Sequence, residues 1–264
     1  MSNDDIPVVI FCGGEGTRMR GGTLTKKELV EIGGRPIIWH VMSIYSAYGF
    51  RKFVLPLGHE AGQLKRYFLD YETLTRDFTI RLGDGDRRVE FGHAAGHPQW
   101  EVSLVDTGLR TDKAARIARV AGYLTADRFC VTYGDGVGDV DLAALMAFHQ
   151  AHGKLVTITA VQPKHYQYGT VEAGDDGLAT GYVQYPELPY WINAGFMVFE
   201  RAALEWMGGG DDVALETDVL QELIAQRQLM VYRHHGFWQS MDTLKDANDL
   251  ERAWQNGAPW QVWE

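Results

Sequence analysis

The feature that most constrains this chain is a short apolar run that empties into a glycine-rich, cationic turn. Val8-Val9-Ile10-Phe11 reads as a buried strand, and Cys12-Gly13-Gly14-Glu15-Gly16-Thr17-Arg18-Met19-Arg20 follows at once. Glycines let backbone N–H groups crowd against oxyanions, and arginine adds planar, permanently charged donors. Lys26 and Lys27 extend the positive charge. In a chain of formal net charge −10, so local a concentration of cations reads as a phosphate cradle. Two familiar phosphate patterns do not apply. A Walker loop closes on Gly-Lys-Ser/Thr, where this chain has Thr17-Arg18, and the dinucleotide fingerprint needs a third glycine, where it has Met19.

A strand feeding a phosphate loop predicts alternating strands and helices, and the downstream pattern follows that rhythm. Helical spacing is expected over 37–48, 61–71, 142–150, 216–226 and 243–254, with strands over 52–57, 128–133, 155–161 and 229–232. The expected fold is α/β: a Rossmann-like, mostly parallel sheet flanked by helices, as one domain over 1–264. Two stretches break the rhythm, about 75–108 and 166–199. The first reads as hairpins or a long insertion. The second reads as a small β-rich insertion with a turn at Gly174-Asp175-Asp176-Gly177.

Composition excludes several classes. The acidic balance leaves no broad basic surface, so nucleic acid is not an expected partner. Cys12 and Cys130 occupy apolar, strand-like positions and read as buried thiols in a reducing compartment. The opening Met1-Ser2-Asn3-Asp4-Asp5 lacks the pattern of a signal peptide, and no apolar run approaches membrane-spanning length. A soluble cytoplasmic protein is expected.

Two further segments carry carboxylates suited to phosphate chemistry. In Tyr133-Gly134-Asp135-Gly136, the aspartate falls just past a buried strand, where open α/β sheets bind ligands. In Gly236-Phe237-Trp238-Gln239-Ser240-Met241-Asp242-Thr243, Asp242 could cap the last helix or face Asp135 as a second carboxylate. Two carboxylates with a cationic glycine loop suit Mg²⁺ and a nucleoside triphosphate, the metal taking carboxylate and phosphate oxygens together.

Gly13-Gly-Glu-Gly-Thr-Arg18 followed by Lys27-Glu-Leu-Val-Glu-Ile-Gly-Gly-Arg-Pro-Ile-Ile-Trp-His40 resembles the start of the sugar-1-phosphate nucleotidyltransferases. Leu104-Val-Asp-Thr-Gly108, Tyr133-Gly-Asp-Gly-Val137, Ile192-Asn-Ala-Gly-Phe196, Met241-Asp-Thr-Leu244 and the ending Ala258-Pro-Trp-Gln-Val-Trp-Glu264 resemble their glucose-1-phosphate cytidylyltransferase branch. The resemblance implies transfer of CMP from CTP to a small phosphate-bearing acceptor, by default a hexose 1-phosphate such as glucose 1-phosphate, with release of pyrophosphate. It implies that Gly13, Gly14, Gly16, Thr17 and Arg116 bind the nucleotide and that Arg18 and Lys27 are the catalytic cations. Asp135 and Asp242 would hold Mg²⁺, and Gln184, Tyr185, Asn193 and Lys164 would form the acceptor side. The family tends to assemble, so a homo-oligomer is expected, with the aromatic tail suited to a contact.

The chain departs from that family at Gln184-Tyr185-Pro186, where the family usually has Glu-Lys-Pro. Without the lysine, another cation such as Lys164 or His165 substitutes, or the acceptor is a non-sugar phosphate or phosphonate, or the chain is a non-catalytic nucleotide-binding subunit. His93 and His97 have the spacing of a metal pair, but no third ligand is near in sequence, and a metal site there is not expected. Trp260 and Trp263 are expected to pack on the body or on a neighbouring subunit. Tyr190-Trp191 either stacks on substrate or packs in the core.

Overall fold

The computed structural model describes residues 2–14, 25–82, 88–92, 98–162, 169–184 and 189–263. In chain order the strands are β1 (Val8–Phe11), β2 (Glu31–Ile32), β3 (Arg35–Pro36), β4 (Lys52–Leu57), β5 (Phe78–Arg81), β6 (Arg88–Phe91), β7 (Glu101–Asp106) and β8 (Arg128–Tyr133). They continue as β9 (Gly136–Gly138), β10 (Val156–Val161), β11 (Thr170–Ala173), β12 (Ala179–Val183), β13 (Ile192–Asn193), β14 (Met197–Glu200), β15 (Leu229–His234) and β16 (Trp238–Ser240). The α-helices are α1 (Ile37–Ala47), α2 (Ala61–Leu69), α3 (Tyr71–Thr75), α4 (Lys113–Arg119), α5 (Leu142–His152), α6 (Leu220–Ala225) and α7 (Leu244–Gln255).

The main sheet runs β15, β10, β14, β8, β1, β4, β7, with short β13 pairing the other end of β10 beside β14. β1 is parallel to β4 and β8, β4 to β7, and β10 to β15. β13 and β14 run against the rest. The expected mostly parallel α/β sheet is therefore present. β1 shows why these residues make a central strand. Val8, Ile10 and Cys12 point into one core with α1, α5 and α7, while Val9 and Phe11 point into a second with α4 and α6. A strand apolar on both faces is stable only between two helical layers, and each such side chain contributes on the order of 1.5–3 kcal/mol by burial.

Two expectations need correction. The stretch 75–108 holds the hairpin β5–β6, but it ends in β7, which pairs residue for residue with β4 over 52–57. Likewise 166–199 holds the hairpin β11–β12, and then β13 and most of β14, which belong to the main sheet. The expected helix over 216–226 opens with a wide π-type turn at Leu215–Val219 before α6. Cys12 and Cys130 are buried free thiols, as expected. Among the described residues no helix is long and apolar enough to cross a membrane.

Helix α7 links distant parts of the chain. Its N-cap is Thr243, whose hydroxyl accepts from the Asp246 N–H while the Asp246 carboxylate accepts from the Thr243 N–H, so Asp242 is left free of that duty. Near its other end, Glu251 accepts from the Gly33 N–H at 2.7 Å in the β2–β3 turn. Gly33 has φ +58, and a Cβ there would stand 2.1 Å from the Trp254 indole nitrogen, so no side chain fits. The tail then folds back on the body. Trp260 is 1% exposed and its indole N–H donates to His40 Nδ1 at 3.3 Å. His40 Nε2–H donates to the Ile32 carbonyl at 2.8 Å, a pattern that requires the neutral ring, and burial lowers its pKa accordingly. Trp263 packs edge-on against Trp39. The aromatic tail is thus used within the chain.

Candidate active site

Three expected site residues meet at the carboxyl edge of the sheet. β8 ends at Tyr133 and leads through Gly134 to Asp135, while β16 pairs antiparallel with β9 just beyond. That ladder matches Ser240 to Gly136, and the Met241 N–H donates to the Asp135 carbonyl at 2.8 Å. Asp242 is thereby carried beside Asp135 although 107 positions separate them in the chain. Lys27, in the 3-10 turn Lys27–Leu29, reaches between the two. Its Nζ lies 2.6 Å from Asp135 Oδ2 and 2.8 Å from Asp242 Oδ1. Burial works against the ammonium charge, but Asp135 and then Asp242 more than offset it, and the Lys27 pKa is held above the ordinary lysine value.

Lys26, which the sequence groups with the phosphate-facing cations, is buried against the glycine loop, its ammonium donating to the Gly14 carbonyl at 3.5 Å. It is 4% exposed, donates to the His59 carbonyl at 2.9 Å and pairs with Glu28 at 3.5 Å. Its backbone N–H donates to Gln63 Oε1 at 2.9 Å. Burial raises the Glu28 pKa, with Lys26 pulling it back in part. This pair anchors the turn from beneath and leaves Lys27 as its outward cation.

Arg116 is buried under the glycine loop. Its guanidinium donates to the Leu57 carbonyl at 3.0 Å, to Thr107 Oγ1 at 2.7 Å and to the Gly13 carbonyl at 3.5 Å. Burial, followed by the neighbouring Arg119, lowers its pKa. It therefore joins the ends of β1, β4 and β7 and sets the floor on which Gly13 rests. Arg116 thereby braces the loop that it is expected to share with the nucleotide.

On the other side, Asn193 Nδ2 donates to the Tyr133 hydroxyl at 3.2 Å, and its Oδ1 accepts from the Gly195 N–H at 3.0 Å. The Tyr133 hydroxyl donates to Glu216 Oε1 at 2.8 Å, and Glu216 pairs with Lys113. Trp238 donates from its indole to the Ala194 carbonyl at 2.9 Å, tying β16 to the Asn193 turn. Glu216 and Lys113 were not expected here, because they lie 103 positions apart and the resemblance assigns a role only to Arg116 in the Lys113 segment. Gln184 is on the exposed β11–β12 hairpin, accepting from the Tyr182 hydroxyl at 2.7 Å, and no hydrogen bond among the described residues joins it to Asn193 or Asp135. Tyr190 is exposed, and Trp191 packs between Arg233 and His235 at the end of β15. Gly16, Thr17, Arg18, Lys164, His165, Tyr185, His93 and His97 lie outside the described residues.

The donor set fits a divalent cation shared with phosphate. Asp135 and Asp242 converge on one cationic point through Lys27. Mg²⁺ typically takes one or two carboxylates together with phosphate oxygens and waters. Among the described residues no group of three or more carboxylate, histidine or cysteine side chains gathers into a metal cage.

Comparison with known proteins places the chain in a family. A family model described as "Nucleotidyl transferase" matches residues 7–256. A glucose-1-phosphate cytidylyltransferase of Salmonella typhimurium is 39% identical over 264 residues, covering 97% of this chain and 99% of that protein. A mannose-1-phosphate guanylyltransferase of Mycobacterium tuberculosis is 27% identical, covering 93% of this chain and 64% of that one. A crystal structure of HddC from Yersinia pseudotuberculosis complexed with GMP-PN superposes with TM-score 0.68 at 17% identity over 94% of this chain and 99% of that one, a likeness of fold. With the strand–glycine-loop opening, the parallel sheet and Lys27 set between Asp135 and Asp242 all lying within the matched span, the chain belongs to the nucleotidyl transferase family.

Proposed function

We propose that this chain is a cytidylyltransferase that moves CMP from CTP to a hexose 1-phosphate, glucose 1-phosphate being the first candidate, and releases pyrophosphate. One observation carries the chemistry: Lys27 stands between Asp135 and Asp242 at the carboxyl edge, held protonated by both. The choice of CTP and glucose 1-phosphate follows the 39% identical relative that bears that name.

In the reaction, an oxygen of the acceptor phosphate attacks the α-phosphorus of CTP in line. The bond from that phosphorus to the bridging oxygen breaks, and pyrophosphate departs with the electron pair. Such a transfer forms no covalent bond to protein, so catalysis is positioning and charge neutralisation. Gly13 and Gly14 hold the triphosphate with their backbone, Arg116 lying beneath Gly13, and the sequence motif assigns Gly16, Thr17 and Arg18 to the same phosphate contact. Lys27 places a fixed positive charge beside the phosphates. Asp135 and Asp242 would hold Mg²⁺. When bound, that ion supplies Lewis-acid neutralisation of phosphate charge. Work in the cytoplasm as a homo-oligomer completes the reading, and size-exclusion chromatography with light scattering tests the assembly.

The deciding experiment is pyrophosphate release with each nucleoside triphosphate and a panel of phosphate monoesters and phosphonates, with Mg²⁺. Turnover with CTP and glucose 1-phosphate is expected, abolished in Asp135→Asn while circular dichroism stays native. Tight CTP binding without turnover on any acceptor would instead make the chain a nucleotide-binding subunit. Turnover only with a non-sugar phosphate or a phosphonate would move the acceptor class and leave the chemistry intact.

A further inference from the structure

We propose that Lys113 is the cation that receives the phosphate of the acceptor, presented by Glu216 and seated on Tyr133; the assignment rests on the nucleotidyl-transfer reading above. A transfer between two phosphates has to bring an anionic acceptor up to an anionic triphosphate, and a site built for this needs a cation on each side. Of the cations described at this edge, Lys27 is bound to two carboxylates, Lys26 points inward and Arg116 is spent on carbonyls beneath Gly13. Lys113 is different. Its side chain is 37% exposed, and its ammonium stands 5.4 Å from the centre of the Tyr133 ring.

The placement separates this lysine from the triphosphate loop. Lys113 and Arg116 are three residues apart on α4 and so share a face. Arg116 meets β1, β4 and β7 under the glycine loop. Lys113, one turn earlier, meets Tyr133 and Glu216 instead, on the β8 side that carries Asn193. The segment bearing Glu216 is docked to α4 by its own backbone, with the Asp112 N–H donating to the Asp211 carbonyl at 2.7 Å.

The hydrogen bonds form a directed chain that ends on the lysine. The Gly195 N–H donates to Asn193, Asn193 to Tyr133, Tyr133 to Glu216, and Lys113 closes it from the other end. The ion pair is open to water on about a third of each side chain, and solvent-screened pairs are worth about 0–1 kcal/mol. Handing part of the ammonium to a phosphate dianion therefore costs little, while a charge-assisted lysine–phosphate contact gains more.

The test is steady-state kinetics with separate titration of CTP and glucose 1-phosphate. Lys113→Met is expected to raise the acceptor KM by about 10- to 100-fold and leave the CTP KM within about threefold. Lys113→Arg should recover most of that loss. Glu216→Gln keeps an acceptor for the Tyr133 hydroxyl but removes the competing charge, so the acceptor KM should stay within about threefold of wild type. A purely structural ion pair would make Lys113→Met and Glu216→Gln raise the acceptor KM alike, and that result overturns the assignment. So does a Lys113→Met acceptor KM within about twofold of wild type. Wild-type protein that turns over no phosphate monoester would sink the activity reading and this assignment together, whereas normal wild-type turnover with an unmoved Lys113→Met sinks this assignment alone.

Discussion

Arg116 lies against Gly13 so closely that a Cβ at position 13 would stand 2.5 Å from the guanidinium carbon. The glycine is required by its neighbour beneath as much as by any ligand above. Gly13→Ala has to push the arginine off the Leu57 and Thr107 oxygens or lift the loop. Either way a destabilisation of about 1–3 kcal/mol is expected, typical of overpacking at a rigid site. Urea denaturation reads that loss, and an increase in the CTP KM reads the displaced loop. An alanine variant with wild-type values in both would show that the arginine yields freely.

Lys27→Ala removes the charge that lets Asp135 and Asp242 approach one another. Because Asp242 is 41% exposed, water can screen the two carboxylates, and stability should change little. Activity should fall by roughly 10²- to 10³-fold, as when a preorganised electrostatic group is lost. A kcat/KM within about tenfold of wild type, with native circular dichroism, would remove Lys27 from the catalytic set.

His149 predicts an acid limb in stability. It is buried, with Nδ1 2.8 Å from Thr157 Oγ1 and Nε2 3.1 Å from Glu200 Oε1. His152 Nε2 meets the same Thr157 oxygen at 2.7 Å, and its Nδ1 accepts from the Lys154 N–H. With both rings neutral, every donor finds an acceptor. Burial lowers the His149 pKa from 6.5 to about 4. The unfolded chain then binds more protons between those values, so stability falls as pH drops from about 6.5 and levels near 4, by roughly 2–3 kcal/mol. Thermal melts from pH 8 to 4 should show that limb, and His149→Asn should flatten it.

Trp260→Ala should cost about 3–5 kcal/mol, the range for emptying a large buried aromatic site. It also takes the indole donor from His40 Nδ1. Differential scanning calorimetry checks it. A fall under about 1 kcal/mol would mean that Trp263 and Trp254 close the gap.

The legible parts of the chain were those with local signals. β1, β4, β8 and β10 are short runs of β-branched and aromatic residues buried on both faces, which leaves little else for them to be. β7 escaped because it is the sheet edge and only partly buried, and its sequence Glu101-Val-Ser-Leu-Val-Asp106 follows a polar stretch that masks it. Asp135 and Asp242 were found through motif, yet their meeting depends on the β9–β16 ladder, which no local pattern encodes. Thr243 took the capping role that Asp242 could have held, since Asp246 stands at the right spacing to complete the box. Glu216 and Lys113 remained hidden because their importance is a contact across the fold and not a pattern within either segment.

Helix α7 makes the spacing of Lys27 and Asp242 depend on residues far from them. One of its ends continues directly from Asp242, while its last turns grip the Gly33 bend that follows the Lys27 turn. The helix thus works as a calliper whose jaws are Lys27 and Asp242, with Trp254 and Trp260 as its hinge pin. Damage to the tail would open those jaws before it melted the sheet, so heat or a mild denaturant should silence the enzyme at a point where its secondary structure is still whole.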